Sequence, residues 1–484
     1  MSRIAVIGGG ISGLAAAHRL MELDARANVS VFESSHRLGG ALATEAVDGF
    51  RIESGPDSML SQLPWGVELC RRIGFADELI GTNSEHRQTW VVRAGRLIPL
   101  PEGLAIMAPR RLWPTVRSPI LSVRGKLRLA CERFIRRRTD TTDESLADFA
   151  TRRVGRETFE RLVQPLVSGI YMADPRRLSI QAAMPRFAAM EAEHGSLIRA
   201  ARRLARTNRK TSAEEKPSPI PSSMFVAPRT GMESLVTALA QRLPTGSIHR
   251  NSTVEELVQK QENGWQVRGQ TARSRFDENF DAVILATPSN RSAQLLQRID
   301  ASLASELSDI THSGCIIVTL AFVRDDIAHP LNGHGFVVPH VEQRDIVACT
   351  FSSVKYAERA PEGQVLLRVF LGGAMRPDLM ELDDDNAVIA VVLRELNQLI
   401  GLSGQPGLVR VHRWSNVMPQ YHVGHLVRMS SIEASVAMIS GLELAGNSYR
   451  GVGIPHCIHS GEQAAESILK AVGRTRQSDF ESEN

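Results

Sequence analysis

The chain has 484 residues, 43% of them hydrophobic and 23% charged, with a formal net charge of +4. Such a length buries a large core and predicts more than one domain, and so modest a charge does not imply nucleic acid as a partner. No apolar run is long enough to cross a bilayer, and five scattered cysteines without C-x-x-C spacing exclude a disulfide framework, an Fe–S site and structural zinc. The first predicted element is a strand, Ile4-Ala5-Val6-Ile7, which opens into Gly8-Gly9-Gly10-Ile11-Ser12-Gly13. An amphipathic helix follows from Leu14 to Leu20, then a strand, Val29-Ser30-Val31-Phe32, that ends in Glu33. Strand, glycine turn, helix, strand and acid make the unit that holds a dinucleotide. Gly8 permits the tight turn, Gly10 lets backbone amides approach a pyrophosphate, and Gly13 lets the helix pack on the strand. The helix N-terminus adds partial positive charge, and Glu33 can accept hydrogen bonds from a ribose diol. The leading apolar run is thus a strand and not a signal peptide, so the expected location is cytoplasmic.

Glu33 is followed by Ser34-Ser35-His36-Arg37-Leu38-Gly39-Gly40-Ala41. NAD enzymes do not require this E-x-x-x-R-x-G-G extension. It resembles the second motif of the flavoprotein superfamily that includes amine oxidases and carotenoid desaturases. There an Arg and a glycine pair pack beside the FAD diphosphate. A basic loop with two flexible glycines is the plain alternative.

Further along, Arg124, Lys126, Arg128, Arg133, Arg136, Arg137 and Arg138 crowd one segment, with Glu132 the only acid among them. The pattern reads as a solvated helix face, or as a surface attracted to anionic lipid or to a carboxylate-bearing substrate. Leu104 to Leu121 mixes apolar and basic residues, as a product-exit or peripheral-membrane surface would, with a lid over the pocket as the plain alternative. Residues 120–205 read as helical, with a capped start at Asp143 to Phe149 and an apolar-periodic stretch from Met184 to Leu204. Thr207 to Ser223 is polar and proline-rich and reads as a linker or surface loop. Strands are expected at Ile248 to Val258, Trp265 to Val267 and Asp281 to Ala286, and a strand-rich region from Cys315 to Phe370. Helices are expected at Glu233 to Leu243, Asp384 to Ile400 and Ile458 to Ala471. The order implies an α/β fold: a discontinuous Rossmann-like FAD-binding domain (1–90, 224–292 and 425–474) with inserted substrate elements. These are a helical subdomain (91–206), the flexible loop 207–223 and a mixed β-sheet domain (293–424), before a tail at 475–484.

The C-terminal third carries a more specific pattern. Arg413-Trp414, Met418-Pro419-Gln420-Tyr421-His422-Val423-Gly424-His425 and Ala445-Gly446-Asn447-Ser448-Tyr449-Arg450-Gly451-Val452-Gly453-Ile454-Pro455 resemble signature segments of the oxygen-dependent protoporphyrinogen and coproporphyrinogen oxidases, in their soluble bacterial form. Ser54-Gly55-Pro56-Asp57-Ser58, Gln164 to Tyr171, and Phe351-Ser352-Ser353 with Ala360-Pro361 and Phe370 to Gly373 match as well. The resemblance runs from about residue 2 to 471. It implies FAD, held by Gly8 to Gly13, Glu33, Ser34, Arg37, Gly39, Gly40, Ala41, Gly55 to Ser58 and Gly451 to Ile454. The adenine would meet the main chain of Val254, and Trp414 would lie beside the flavin, with a core Trp as the bland competitor. Gly451-Val452-Gly453-Ile454 precedes a helix, so its amides can meet the cofactor.

The resemblance further implies a porphyrinogen lying over the flavin. A hydride passes to the flavin N5 while a pyrrole N–H loses its proton, three times over, with dioxygen reoxidising the flavin to give hydrogen peroxide. No nucleophile, triad or metal is needed, and no catalytic side chain is assigned. Asp57 is given an electrostatic role toward positive charge on the substrate, against a turn-capping alternative. The pocket must be flat, apolar and wide. Gly169, Val338, Thr350 and Phe370 match positions that sandwich or border the ring, with core packing the plain alternative for Phe370 and Val338 and a simple turn for Gly169. Propionates need cations, for which Arg96, Arg110, Arg111, Arg176 and Arg177 are candidates. His422 with His425 and His456 with His459 are spaced as metal ligands could be, but no third ligand offers itself, so no metal is expected. The family usually has an acid where this chain has His456. Further expected partners are a membrane surface, a downstream haem-pathway enzyme or a second copy of the chain. The rival readings are another flavoenzyme of the superfamily (an amine oxidase or carotenoid desaturase) and a non-catalytic lipid or prenyl carrier on the same fold.

Overall fold

The computed structural model describes residues 2–109, 112–140, 142–211, 221, 223–260 and 264–482. Its first sheet is parallel and is assembled from five distant pieces of chain. Strand Arg3–Ile7 lies at the centre, between Asn28–Phe32 and Ala282–Leu285, with Ile248–His249 and Leu442–Leu444 at the edges. Its central strands are continuous apolar runs, Ile4–Ile7 and Ala282–Leu285, because both faces are covered. Ile4 and Val6 enter one core with helix Ile11–Leu23 and the C-terminal helix Ile454–Ser482, whereas Ala5 and Ile7 enter another with Trp265, Phe280 and Leu296. Ala15, Ala16 and Ala17 are fully buried, which allows the first and last helices to pack closely. A Cβ at Gly461 would overlap the Ser12 carbonyl oxygen. The nucleotide unit is therefore discontinuous in sequence and single in space.

The second large sheet has seven strands in the order Leu408–Pro419, His312–Val323, Gln364–Gly372, Ala348–Phe351, Gly335–Val337, Thr89–Arg93 and Arg96–Pro99. Its pairs are antiparallel except where Gly335–Val337 meets Thr89–Arg93. Strand Gln364–Gly372 shows the division of faces. Val365, Leu367, Val369 and Leu371 pack in one core with Val388, Val392 and Leu396 of helix Asp385–Ile400. Leu366, Arg368 and Phe370 point the other way, toward the nucleotide unit. Asp384 caps the covering helix by accepting from Asn386 N.

Several boundaries differ from expectation. The division at 90/91 cuts through strand Thr89–Arg93, and the hairpin to Pro99 belongs to the seven-stranded sheet. The apolar stretch from Met184 to Leu204 is two helices, Pro185–His194 and Leu197–Thr211, because Gly195 adopts φ 64° and ends the first. Residues 207–211 of the expected loop continue that second helix, and 212–220 and 222 lie outside the described residues. The last helix runs through most of the expected tail, to Ser482. Within the expected helical region 120–205 the Arg-rich segment holds helices Val123–Ala130 and Cys131–Phe134, but Glu132 is fully buried and not part of a solvated face. Its carboxylate pairs with buried Arg153 and accepts from Ser196 Oγ at 2.6 Å and Leu197 N at 2.9 Å. It thereby caps the helix that starts at Leu197.

Candidate active site

At the nucleotide end the glycines divide by function. Gly8 has φ 111°, and a Cβ there would overlap the Ala286 carbonyl oxygen. One at Gly13 would overlap the Gly8 carbonyl oxygen. At Gly10 the same atom would meet nothing within 4 Å, and no side chain caps the helix that begins at Ile11. The free amides of Ile11, Ser12 and Gly13 thus border open space at a positive helix end, and these residues fit a pyrophosphate. Glu33 accepts from Gly9 N and Ser35 N, each at 2.8 Å, and Ser34 Oγ lies 3.4 Å from it. The carboxylate thereby fixes the glycine turn and keeps lone pairs for a ribose.

The second motif folds back onto the first. Gly39 N donates to Gly9 O at 2.8 Å, and Gly40, at φ 59°, lies against Gly10. Arg37 donates to the carbonyls of Leu38, Gly40 and Leu42, so its visible work is to hold this loop. Gly55 is pressed on Ala41, whose carbonyl a Cβ would overlap. Val254 lies in strand Ser252–Gln259 beside a bulge, and its carbonyl accepts from Arg291 at 2.6 Å.

Between the two sheets lies a charged cluster that the sequence did not reveal. Asp57 receives Lys355 Nζ at 3.0 Å on both oxygens, Ser58 Oγ at 2.7 Å and Arg368 at 3.6 Å. Burial raises its carboxyl, but the two cations outweigh that and hold it far below the usual carboxylate range. Any electrostatic role of Asp57 is exercised as part of this cluster, whose two cations exceed its one acid, and not as a lone negative charge. Arg368 is 2% exposed and also donates to Gly55 O, so it ties the sheet to the Gly55–Ser58 loop. Pro56 is exposed in that loop.

The register sets out the rest of the wall. Cys315 pairs with Trp414 and Gly372, and Ile317 with His412 and Phe370. Trp414 Nε1 donates to Ser54 O at 2.6 Å, so the indole bridges the two units. It packs in one cluster with Phe370, Met172 and Ile317. Arg37, Ser54, His412 and Trp414 line a cleft of about 590 Å³. Thr350 pairs with Arg368 one row away. Thr319 Oγ1, Arg368 Nε and His412 Nδ1, on this same face, make no hydrogen bond and leave polar capacity for a heterocycle. Gly169 stands on helix Gln164–Tyr171 with open space beside it. Gln164 and Ser168 of that helix line a smaller pocket with Val338 and Met172. Register puts Val337, and not Val338, on the same face as Ala348 and Phe370.

The Met418–His425 segment is a clamp. Gln420 Nε2 donates to Tyr171 O and Ser313 Oγ, joining the helical region to the sheet. Tyr421 Oη accepts from Gly451 N at 2.8 Å and donates to Asn447 O, fixing the second glycine turn. His425 stacks on Tyr421 at 4.1 Å and contacts Tyr449 O through Nε2 at 2.8 Å. Gly451 has φ 126°, Val452 packs on the helical core, and Gly453 leads into the helix at Ile454. His456 lies under Gly451 and beside Trp65, which stacks on His459. Burial, with His459 adding to it, lowers the His456 pKa. Among the described residues no group of three metal-ligating side chains occurs. Of the candidate cations, Arg176 pairs with Asp174 and Arg177 meets His422, Arg96 is exposed, and Arg110 and Arg111 lie outside the described residues.

Lys355, Arg368, His412 and Tyr421 were not singled out from the sequence. Alternation in strand Leu408–Pro419 signals a strand and so places His412 and Trp414 on one face, but Lys355 has no such signal. Residues 11–469 match the family of flavin containing amine oxidoreductases. The coproporphyrinogen III oxidase of Bacillus subtilis is 31% identical over 96% of this chain and 97% of its own length. That of Propionibacterium freudenreichii is 32% identical, over 97% and 91%. The chloroplastic protoporphyrinogen oxidase of Nicotiana tabacum is 27% identical, over 97% and 86%. A crystal structure from Exiguobacterium sp. 255-15, of a candidate protoporphyrinogen oxidase, superposes with a TM-score of 0.83 at 30% identity, over 96% of this chain and 98% of the other. The chain is therefore a flavin-dependent oxidoreductase that belongs to the flavin containing amine oxidoreductase family, among the coproporphyrinogen III and protoporphyrinogen oxidases.

Proposed function

We propose that the protein oxidises a porphyrinogen to a porphyrin in haem synthesis, with FAD as its flavin. The reaction removes six hydrogens in three two-electron rounds, consumes three dioxygen molecules and releases three of hydrogen peroxide. The observation that carries this reading is the sheet face bearing His412, Trp414, Phe370 and Arg368, which is fastened to the Gly55–Ser58 loop by Trp414 and Arg368. A flat ligand bounded by that face and by helix Gln164–Tyr171 meets apolar surface at its centre and hydrogen-bonding groups at its margin.

The bound flavin supplies the two-electron acceptor for each round. The protein's own part is binding, orientation and electrostatics. Gly10 to Gly13 and Gly451 to Ile454 present amides to the dinucleotide, and Glu33 takes the ribose. Phe370 and Trp414 hold the planes, Val337, Thr350 and Gly169 border the substrate while Val338 packs in the opposite core, and the Asp57–Lys355–Arg368 cluster contributes net positive charge at the loop. The bacterial coproporphyrinogen III oxidases share the higher identities, so the four-propionate substrate is the first to test. The test is an aerobic comparison of coproporphyrinogen III and protoporphyrinogen IX, read as porphyrin fluorescence and peroxide. One peroxide per two electrons from at least one substrate is expected. Oxidation of neither by flavin-loaded protein refutes the reading, and oxidation of an amine instead favours the amine oxidases.

A further inference from the structure

We infer that the His456 imidazole, through Nδ1, is a hydrogen-bonding contact for the flavin nucleotide at the second glycine turn. The inference rests on the flavin site proposed above. The backbone of this turn has few donors left to give. Gly451, at φ 126°, has its N–H taken by Tyr421 Oη at 2.8 Å. The Gly453 carbonyl accepts from Cys457 N at 3.0 Å, so the helix begins with Ile454, Pro455 and His456. Proline has no N–H, and this helix start therefore offers one donor fewer than the one at Ile11, Ser12 and Gly13.

The His456 ring lies inside the turn. A Cβ at Gly451 would overlap its Cγ, and one at Gly453 would lie 3.4 Å from Nδ1. The ring centroid is 5.5 Å from that of Trp65, which stacks on His459 at 4.1 Å. Trp65 belongs to helix Pro64–Arg72, whose Gly66 closes on the same turn: a Cβ there would meet Met59 Sδ at 2.7 Å and Pro455 Cγ at 3.4 Å. Packing from two helices thus sets the orientation of the imidazole before any ligand binds. Packing accounts for the ring but not for its nitrogen. Nδ1 is buried and makes no hydrogen bond among the described residues. An unpaired buried polar atom costs roughly 1–3 kcal/mol, which a phenyl ring in the same place would avoid. A bound oxygen acceptor removes that cost, and the ribityl chain, pyrimidine ring and diphosphate of a flavin nucleotide all carry such oxygens. Burial, with His459 adding to it, favours the neutral ring. Its single proton, placed on Nδ1, supplies the donor that Pro455 lacks.

Two kinds of substitution separate the nitrogen from the ring. His456→Phe keeps the packing against Trp65 and Gly451 and loses the donor. His456→Asn loses the ring and keeps a polar nitrogen near the place of Nδ1. The measurement is release of FAD from the full-length, flavin-loaded protein on dilution, followed as recovery of flavin fluorescence, with circular dichroism to establish folding. His456→Phe is expected to release FAD about tenfold faster than the parent, the worth of one hydrogen bond, and His456→Asn to stay within roughly threefold of it. His456→Leu, smaller than the imidazole, repeats the loss of the donor without crowding the turn and should match His456→Phe. A ring that only packs gives the opposite order, with His456→Phe like the parent, and overturns the inference. So does a loss in His456→Asn as large as in His456→Phe, or parent-like release in all three variants, which would assign a water to Nδ1. No substrate enters this experiment, so a parent that holds FAD while His456→Phe and His456→Leu hold it equally well refutes the contact alone. A parent that holds no FAD refutes the contact together with the proposed cofactor.

Discussion

The glycine turn at residues 8–13 and the sheet face at Arg368–Phe370 and His412–Trp414 serve the proposed flavin site by different means. The turn contributes backbone: amides, a helix end and an absence of side chains. The sheet face contributes side chains whose position depends on which strand pairs with which. Within the turn itself the contrast repeats, since Gly8 and Gly13 are closed in by protein and Gly10 faces open space. A position crowded by its own chain is required for folding. Gly10, which a Cβ would leave uncrowded, keeps space open at the helix start for the proposed cofactor.

Substitution separates these roles. Gly13→Val should cost the most, because its side chain meets the Gly8 carbonyl and the helix must move away from the strand. A loss of roughly 3 kcal/mol or more, seen as little folded protein in circular dichroism, is expected. Gly10→Val should fold, at a cost of about 1 kcal/mol for the poorer N-cap, yet retain no flavin in the visible spectrum. If both variants unfold alike, or Gly10→Val keeps its flavin, the division within the turn is wrong.

On the sheet side Asp57→Asn leaves Lys355 and Arg368 facing each other without their acid, and should cost roughly 3 kcal/mol at neutral pH in denaturant unfolding. The sign with pH follows from the depressed folded pKa. The stabilisation is fully present above about pH 4, the unfolded value, and is lost as pH falls through the folded value. The variant should therefore approach the parent in acid, and a difference that grows on acidification would contradict the cluster. Trp414→Phe should have a similarly small effect on stability, about 1 kcal/mol for the indole's bond to Ser54 O, together with a shift in the flavin absorption band. An unshifted band would move Trp414 away from the flavin.

The dinucleotide unit was legible because its function is local. Gly8, Gly10, Gly13 and Glu33 lie within 26 consecutive positions, and each glycine answers to a backbone requirement that spacing alone expresses. The clamp segment was legible only as a resemblance. That Gln420 joins helix to sheet and Tyr421 supports Gly451 depends on partners far along the chain. Glu132 is the instructive error. In sequence it sits among arginines and reads as part of a solvated face. In the structure it is fully buried because Arg153 and the amide of Leu197 satisfy it.

By itself the sequence determined the parallel sheet, its discontinuity and the glycine turns that lead into the first and last helices, because strand, turn and helix there follow from neighbours in the chain. Only the tertiary structure decided that Lys355 and Arg368 converge on Asp57, and that Trp414 and Phe370 share a face with His412. Strand register, which one residue of slip would invert, puts Phe370, His412 and Trp414 on one face, and Lys355 reaches Asp57 across 298 positions; no local pattern encodes either.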